Sequence, residues 1–250
     1  GKILSSMGHG ICIRHDLVLN EGNKYMRAMA AASNVPIINM QCDVDHPTQT
    51  LADLAWLGEC FPDGLEGRPV TVSWATSPSY AKPLSVPQGL ITLLTRFGAA
   101  ITLAHPEGYA LSPEALAAAE ANAATSGGSF RVVDDMDEAF RGAHAVYPKS
   151  WGPLDLMQER VAATEAADQG ALDAIEARAL GRNATHAGWI CDERRMALTE
   201  GGSARYLHCL PADIGAEVTP GVMAAHATDV AREANGKVYV IMALLAGAKV

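Results

Sequence analysis

The chain has 250 residues, of which 49% are hydrophobic and 19% charged, and its formal net charge is -9. This composition is too apolar for a disordered protein and supplies enough core for one large or two medium domains. No run of lysines and arginines provides a basic surface, so we expect no nucleic acid partner. The longest apolar run, 238–248, is about half as long as a membrane span, and we expect a packed helix there and no membrane association.

The five cysteines are dispersed, without a CxxC pair or regular spacing. Such usage argues against a disulfide framework and against a structural zinc site. A metal site built from Cys42, Asp43, Asp45 and His46 would be crowded and is disfavoured. No signal peptide is visible, and we expect a cytoplasmic protein.

Short apolar runs alternate with helical patterns from the start of the chain. The first part is predicted to contain strands at 10–14 and 35–39, a helix over 23–33, and a second helix within DVDHPTQTLADLAWL (43–57). The segment FPDGLEGRP (61–69) is rich in proline and glycine. It is therefore the best candidate for a boundary between two domains.

The alternation restarts after this loop. Strands are predicted at 69–75, 99–105, 129–133, 143–149 and 204–210, and helices at 86–98, 112–126, 136–142, 154–181 and the C-terminus. Ser112 fits a helix N-cap, Pro113 the first helical position and Gly127 the helix stop. The pattern predicts an α/β protein with two doubly wound lobes of parallel sheet, in which ligands bind beyond the carboxyl ends of the strands.

The segment HPTQ (46–49) lies at a predicted helix start. Pro47 suits the first helical position, so the free N–H groups and the positive helix end face His46. A neutral imidazole can donate a hydrogen bond to a carbonyl oxygen, and Gln49 can accept one from an NH2 group, a pairing that suits a carbamoyl group. The alternative is that His46 only caps the helix and that Gln49 is solvated.

Two other strand exits carry polar residues. In HCLPAD (208–213), Cys209 could be a nucleophile, but its spacing specifies no base, so pocket-shaping backbone groups of Cys209 and Leu210 are favoured. In YPKSW (147–151), Lys149 could hold a carboxylate, although a surface lysine is the simpler interpretation. The phosphate-binding fingerprints GxGxxG and GxxxxGK[ST] are absent, which disfavours a nucleotide-binding module.

Taken together, the motifs resemble the aspartate/ornithine transcarbamylase family over nearly the whole chain. ILSSM…ICIR, DHPTQTLADL and HCLP occur in the family's order and spacing. TVSWATSPSYAKPLSVPQG (71–89) and VYPKSWG resemble its knotted branch, which includes acetylornithine and succinylornithine transcarbamylases, and the likeness is closer still to a sister group whose amine substrate is not established. The resemblance implies a trefoil-knot loop in the second lobe. It also implies three parts: the end of a carbamoyl-phosphate domain (1–62), an amine-binding domain (63–230) and a C-terminal helix that packs back on the first domain (231–250).

The resemblance also implies a reaction. A neutral amine of an amino acid or derivative would attack carbamoyl phosphate and release phosphate, without a metal or organic cofactor. Arg14 and His46 would polarise the carbonyl oxygen, and Gln49 would orient the NH2 group. Further contacts would come from Cys209, Leu210 and Lys237 to carbamoyl phosphate, and from Lys149, Trp151 and Leu210 to the amine. The family also implies a homotrimer.

The sequence departs from the family in two places. The phosphate-binding motif Ser-x-Arg-Thr-Arg does not occur, and we expect it upstream of Gly1. The first lobe would then be incomplete, expose apolar surface and leave the chain inactive alone; the alternative is a non-catalytic binding or regulatory paralogue. YPKSWGP replaces the ornithine-pocket motif Asp-x-x-x-Ser-Met, which disfavours plain ornithine.

Overall fold

The computed structural model describes residues 1–16 and 18–248. In the first lobe, the described residues form a two-stranded parallel sheet with three helices. The elements are β1 (Ile11–His15), β2 (Ile37–Cys42), α1 (Lys2–Ser5), α2 (Gly22–Ala31) and α3 (Pro47–Cys60). The register of β1 against β2 shifts between Ile13 and Arg14, and such irregularities re-aim side chains next to functional sites.

The second lobe is built on a five-stranded, wholly parallel sheet in the order β5-β4-β3-β6-β7. Its strands are β3 (Pro69–Trp74), β4 (Ala100–Ala104), β5 (Ser129–Val133), β6 (Ala145–Lys149) and β7 (Arg205–Tyr206). Its helices are α4 (Ser85–Arg96), α5 (Pro113–Ser126), α6 (Met136–Phe140), α7 (Leu154–Glu165), α8 (Gln169–Thr185), α9 (Glu193–Met196) and a 3-10 turn at Glu200–Gly202. The prediction of an α/β protein with parallel sheets is confirmed.

Local chemistry accounts for these elements. Strand β6, an interior strand of the sheet, is buried along its whole length, as expected for a parallel strand covered on both faces. Helix α5 shows the predicted signals: the Ser112 side chain accepts from Ala115 N, Pro113 opens the helix, and Gly127 ends it in the left-handed region at φ 81°. That conformation costs glycine little because it has no Cβ.

The last helix, α10 (Pro220–Gly247), contacts both lobes. Val222 and Val230 join the core of the second lobe, and Gly236 lies so close to α3 that an added Cβ would stand 3.1 Å from Ala52. Residues 231–247 thus continue a helix that begins at Pro220, and residues 249 and 250 of the predicted last part lie outside the described residues.

The apolar run 238–248 is helical as far as the described residues extend, but the prediction that it is packed is wrong for one side of the helix. Val238, Tyr239 and Met242 are 58%, 71% and 59% exposed. Apolar side chains of the first lobe, Ile3 and Met7, are exposed as well; that a missing upstream part uncovers them stays a prediction. Within the described ranges, no helix is both long and apolar enough to cross a membrane.

Strand β7 is shorter than the predicted 204–210. Leu207 N still donates to Val146 O of β6 at 3.0 Å. Beyond the strand, His208 N faces away from β6 and donates to both carboxyl oxygens of Glu233, at 3.2 and 3.1 Å. A side chain of α10 therefore covers the outer edge of the sheet at this point.

The proline-rich loop after β3 is surrounded by later parts of the chain. Asn183 Nδ2 donates to Ser77 O and Ser79 O, both at 3.1 Å, and Gly152 N donates to Lys82 O at 3.0 Å. These bonds fix the loop against segments that follow it in sequence. Threading of the chain through the loop stays a prediction.

Candidate active site

His46 is the N-cap of α3, and its ring has one nitrogen already engaged. Nδ1 lies 3.3 Å from both Gln49 N and Thr48 Oγ1; with Nδ1 as the acceptor of the Gln49 N–H at the helix cap, the proton of a neutral ring is on Nε2. Burial, and then the positive charges of Lys237 and Arg14, lower the pKa of His46 to about 4. At neutral pH the imidazole is therefore uncharged and presents an N–H donor.

Two cations, Arg14 and Lys237, act electrostatically on His46. Arg14 is the last residue but one of β1, its side chain is 60% exposed, and its Nε and Nη2 donate to the two oxygens of Asp16 at 3.1 and 3.0 Å. Lys237 Nζ, from α10, donates to Cys209 O at 3.2 Å. Both cations lower the pKa of His46, so their charges are felt at its ring, and Lys237 links this region to the backbone of Cys209.

Gln49 is fully buried, so the alternative of a solvated side chain is wrong. Its Nε2 donates to Asp53 Oδ1 at 2.6 Å and to Glu233 Oε1 at 3.4 Å. Its Oε1 is buried and has no hydrogen-bond partner among the described residues. A buried acceptor without a donor is costly, and a ligand NH2 group would satisfy it.

The HCLP turn, residues 208–211, forms another wall of the cleft. Leu210 N donates to His208 Nδ1 at 2.9 Å, the Leu210–Pro211 peptide is cis, and the Leu210 side chain is 41% exposed. Burial raises the pKa of the Cys209 thiol, which disfavours a thiolate nucleophile. A cavity of about 600 Å³ is lined by Cys209, Leu210, Pro211, Ala212, Ile214, Met223, Ala234, Asn235 and Lys237.

Of the three residues predicted to bind the amine, Lys149 and Trp151 lie deeper than expected, whereas Leu210 is exposed. Lys149 is buried, so the alternative of a surface lysine is wrong, and its Nζ lies 3.2 Å from Glu217 Oε1. Trp151 is also buried, and its indole N–H donates to Tyr109 O at 2.8 Å. Trp151 therefore belongs to the core of the second lobe, and Lys149 already has a carboxylate partner in this chain.

Glu217 is the centre of a buried charged cluster that the sequence analysis missed. Its oxygens lie 3.2 Å from Lys149 Nζ, 3.0 Å from Lys82 Nζ and 3.3 Å from His208 Nε2. Two backbone N–H groups also donate to it, those of Ser150 at 2.7 Å and Asp213 at 2.8 Å. Burial raises the pKa of Glu217, but the hydrogen bond from His208 and the charges of Lys149 and Lys82 outweigh it and hold that pKa well below its usual range. Glu217 is therefore an anion at neutral pH.

The residues considered for a metal site are engaged in local structure. Cys42 Sγ accepts from Asn39 Nδ2 at 3.3 Å and from Asp45 N at 3.4 Å. The Asp43 carboxylate accepts two backbone N–H groups near the start of α2, both at 2.7 Å. In the part of the chain that the structure describes, no group of three or more His, Cys, Asp and Glu residues could hold a metal ion.

Two protein-family models match this chain. The carbamoyl-P binding domain of aspartate/ornithine carbamoyltransferases matches residues 1–59, and the Asp/Orn binding domain matches residues 84–247. The chain belongs to the aspartate/ornithine carbamoyltransferase family. The stretch between the two matches contains the proline- and glycine-rich loop 61–69.

Curated relatives agree with this assignment to the carbamoyltransferase family. The YgeW protein of Escherichia coli (strain K12), named provisionally as a carbamoyltransferase, is 47% identical over 267 residues, which are 99% of this chain and 67% of the relative. The N-acetylornithine carbamoyltransferase of Xanthomonas campestris pv. campestris is 34% identical over 229 residues, which are 90% of this chain and 61% of the relative. The chain thus spans about two thirds of the length of these relatives.

Solved structures of carbamoyltransferases show the same fold. A variant of N-acetyl-L-ornithine transcarbamylase complexed with PALAO superposes with a TM-score of 0.84 at 28% identity, covering 99% of this chain and 70% of the other. An acetylornithine transcarbamylase complexed with acetylcitrulline gives a TM-score of 0.81 at 29% identity, covering 97% and 70%. These similarities favour a catalytic carbamoyltransferase over a non-catalytic paralogue or a nucleotide-binding module.

Proposed function

We propose that this carbamoyltransferase moves the carbamoyl group of carbamoyl phosphate to the amine of an amino acid or a derivative of one, and releases phosphate. The observation that carries the proposal is the state of His46. Its Nδ1 accepts the Gln49 N–H and its pKa is about 4, so its Nε2–H is available as a neutral donor in the field of two cations, Arg14 and Lys237. This arrangement suits an oxygen that gains negative charge during a reaction.

The proposed reaction proceeds by addition and elimination at the carbonyl carbon. The lone pair of an uncharged amine forms the new C–N bond while the carbonyl electrons move to oxygen. Arg14 and His46 donate hydrogen bonds to that oxygen as it becomes negative. The electron pair on that oxygen then re-forms the C=O bond as the bond between carbon and the phosphate oxygen breaks, phosphate leaves with the electrons of the broken bond, and the amine loses a proton to phosphate or solvent. Donors placed in this way each lower the activation free energy by about 3–4 kcal/mol.

Gln49 supplies specificity for the NH2 group of the carbamoyl moiety. Its Oε1 is buried without a donor among the residues described, while its NH2 group is held by the two carboxyls behind it. A substrate NH2 would complete its hydrogen bonding, whereas an oxygen at that position would meet another acceptor. Lys237 and the HCLP turn supply a positive charge and a wall for the rest of carbamoyl phosphate.

The amine site is proposed to lie between the HCLP turn and the buried Glu217 cluster. Lys149 and Lys82 are both held by Glu217, and Lys82 also pairs with Asp213 at 2.6 Å. A substrate carboxylate that enters here would compete with Asp213, which is the more exposed of the two acids. We therefore expect an amine substrate that carries a carboxylate, with Lys82 and Lys149 as its cationic partners.

The function is tested by incubating the full-length protein, with any sequence upstream of Gly1 included, with carbamoyl phosphate and a panel of amino acids and N-acylated diamino acids above pH 8. Both phosphate release and the ureido product are measured. We expect turnover with one class of amine, and a loss of about 100-fold or more in kcat for His46→Ala. His9→Ala, an exposed histidine before the amino end of β1, is the matched control and leaves the rate unchanged. A folded protein that forms no ureido product with any amine refutes the proposal.

A homotrimer and a cytoplasmic location are proposed on family resemblance and cysteine usage. The five cysteines are free thiols, as is usual for proteins of reducing compartments. Light scattering coupled to size exclusion tests the assembly, and we expect a mass of three chains. A monomeric mass at micromolar concentration would contradict this part of the proposal.

A further inference from the structure

Two carboxylic acids lie directly behind Gln49 in the interior of the protein. Asp53, from α3, and Glu233, from α10, are both fully buried. A single atom, Gln49 Nε2, donates to Asp53 Oδ1 at 2.6 Å and to Glu233 Oε1 at 3.4 Å. Two carboxylates that share a buried site cannot both be ionised without a large cost, and the role of this pair is not explained by carbamoyl transfer alone.

The hydrogen bonding of the pair is incomplete unless it holds a proton. Asp53 Oδ2 is buried and finds no donor within the described part of the chain. Glu233 accepts the backbone N–H of His208 on both oxygens. A proton on the Glu233 carboxyl, directed at Asp53, would give Asp53 the missing donor and remove the repulsion between the two acids.

The groups that face the pair come from every element packed around it. They are the Tyr147 hydroxyl of β6, the Cys209 thiol of the HCLP turn and the Lys237 ammonium of α10. Burial raises the pKa of Asp53 to about 7, and burial followed by the charge of Asp53 raises the pKa of Glu233 well above its usual value. Two raised pKa values agree with a pair of acids that keeps at least one proton at neutral pH.

We propose that Asp53 and Glu233 share one proton and act as positioning residues for Gln49, holding its NH2 group inward so that its Oε1 faces the ligand. The identity of that ligand, a carbamoyl group, rests on the proposed function; the shared proton and its hold on Gln49 do not. A second proton gives the pair an O–H donor that attracts Gln49 Oε1 and favours the reversed amide. Because these are acids with raised pKa values, the singly protonated pair, which holds the Gln49 NH2 group inward, is present above about pH 7 and is lost as the pH falls.

The first experiment needs no ligand. The chain has five glutamines, so a sample labelled with 15N only in glutamine side chains gives a simple spectrum, in which Gln49→Met assigns the signal of Gln49. We expect the Gln49 NH2 signal to shift with a midpoint near pH 7, while that of the exposed Gln169 does not move. Asp53→Asn and Glu233→Gln should each abolish the shift, and Glu59→Gln, an exposed acid on the same helix, should retain it.

The second experiment measures selectivity. Phosphonoacetamide carries an NH2 group next to a carbonyl, and acetonylphosphonate has a methyl group in its place. Their phosphonates titrate alike, so the ratio of the two dissociation constants isolates the NH2 contact. We expect the wild-type protein to bind the amide about 10-fold more tightly than the ketone at pH 8 and to lose most of that preference at pH 6. In Asp53→Asn, the ratio of the two dissociation constants should be smaller and independent of pH.

The outcomes separate the two proposals. A Gln49 signal that does not titrate in the wild-type protein, or that titrates unchanged in both acid variants, overturns the shared proton whatever the ligands do. A titrating signal without binding of either phosphonate supports the pair and counts against carbamoyl phosphate as the ligand. A preference for the amide that persists at pH 6 and in Asp53→Asn overturns the positioning role and leaves the proposed function standing.

Discussion

Glu217 allows the sharpest prediction about stability, and Glu217→Gln is the perturbation. The change is nearly isosteric, removes one negative charge and keeps one oxygen as an acceptor. Two lysines and a histidine surround the carboxylate at 3.0 to 3.3 Å, and two backbone N–H groups donate to it. All of these partners would be left in the interior beside an uncharged amide.

The size of the effect follows from what each partner retains. Lys82 keeps Asp213 at 2.6 Å, but Lys149 keeps only the carbonyl oxygen of Ser150 at 3.1 Å. Removing one member of a buried ion pair costs about 3–5 kcal/mol, because the remaining charge is uncompensated. In a protein of this size, that lowers the unfolding midpoint by about 10 °C.

The assay is urea unfolding followed by far-UV circular dichroism at pH 7, repeated towards pH 3. Glu217 has a lowered pKa, so its contribution to the free energy of unfolding is fully present above the unfolded-state pKa near 4.5 and is lost as the pH falls below it. The difference between wild type and Glu217→Gln should therefore shrink towards pH 3. Glu120→Gln, an exposed acid of α5, is the control. Equal unfolding free energies for wild type and Glu217→Gln at pH 7 would refute the reasoning.

Three further predictions concern the cleft and one helix cap. His46→Gln should make the free energy of unfolding less sensitive to acid. Folding lowers the pKa of His46 from 6.5 to about 4, so the wild-type protein loses about 3 kcal/mol of unfolding free energy between pH 6.5 and 4, whereas the variant does not. Equal losses for the two proteins in urea titrations at these pH values would contradict this. Lys237→Met should raise the pKa of His46, since Lys237 is one of the charges that lower it; a histidine NMR titration with an unchanged midpoint would show that the ammonium lies elsewhere. Ser112→Ala should cost about 1 kcal/mol through loss of the α5 N-cap, as measured by urea unfolding, and no loss would mean that solvent replaces the cap.

Much of the fold was predictable from local pattern. The strands around β3 and β4 are short, apolar and bounded by turn residues, and α5 carries its cap, its proline and its terminal glycine within one segment. Those signals act over a few residues, so the sequence alone specifies them. HPTQ was identifiable in the same way, since Pro47 marks the start of α3 and makes His46 its N-cap residue.

What the sequence did not reveal depends on residues that are distant along the chain. Glu217 meets Lys82 and Lys149 only after three strand exits have come together, and no motif links them. Glu233 lies in a helix of ordinary composition, and its meeting with Asp53 depends on how α10 crosses α3. The same crossing places Glu233 against the backbone N–H of His208, just beyond the end of β7.

Helix α10 also limits how the cleft can open. It has 28 residues, so it is about 42 Å long, and it is anchored in one lobe at its start and against the other along its later turns. Because a continuous helix resists bending, any rotation of one lobe against the other has to bend α10 or shift its contacts with one of them. Glu233 bonds to Gln49 of the first lobe and to His208 of the second, so such a movement would also strain its hydrogen bonds.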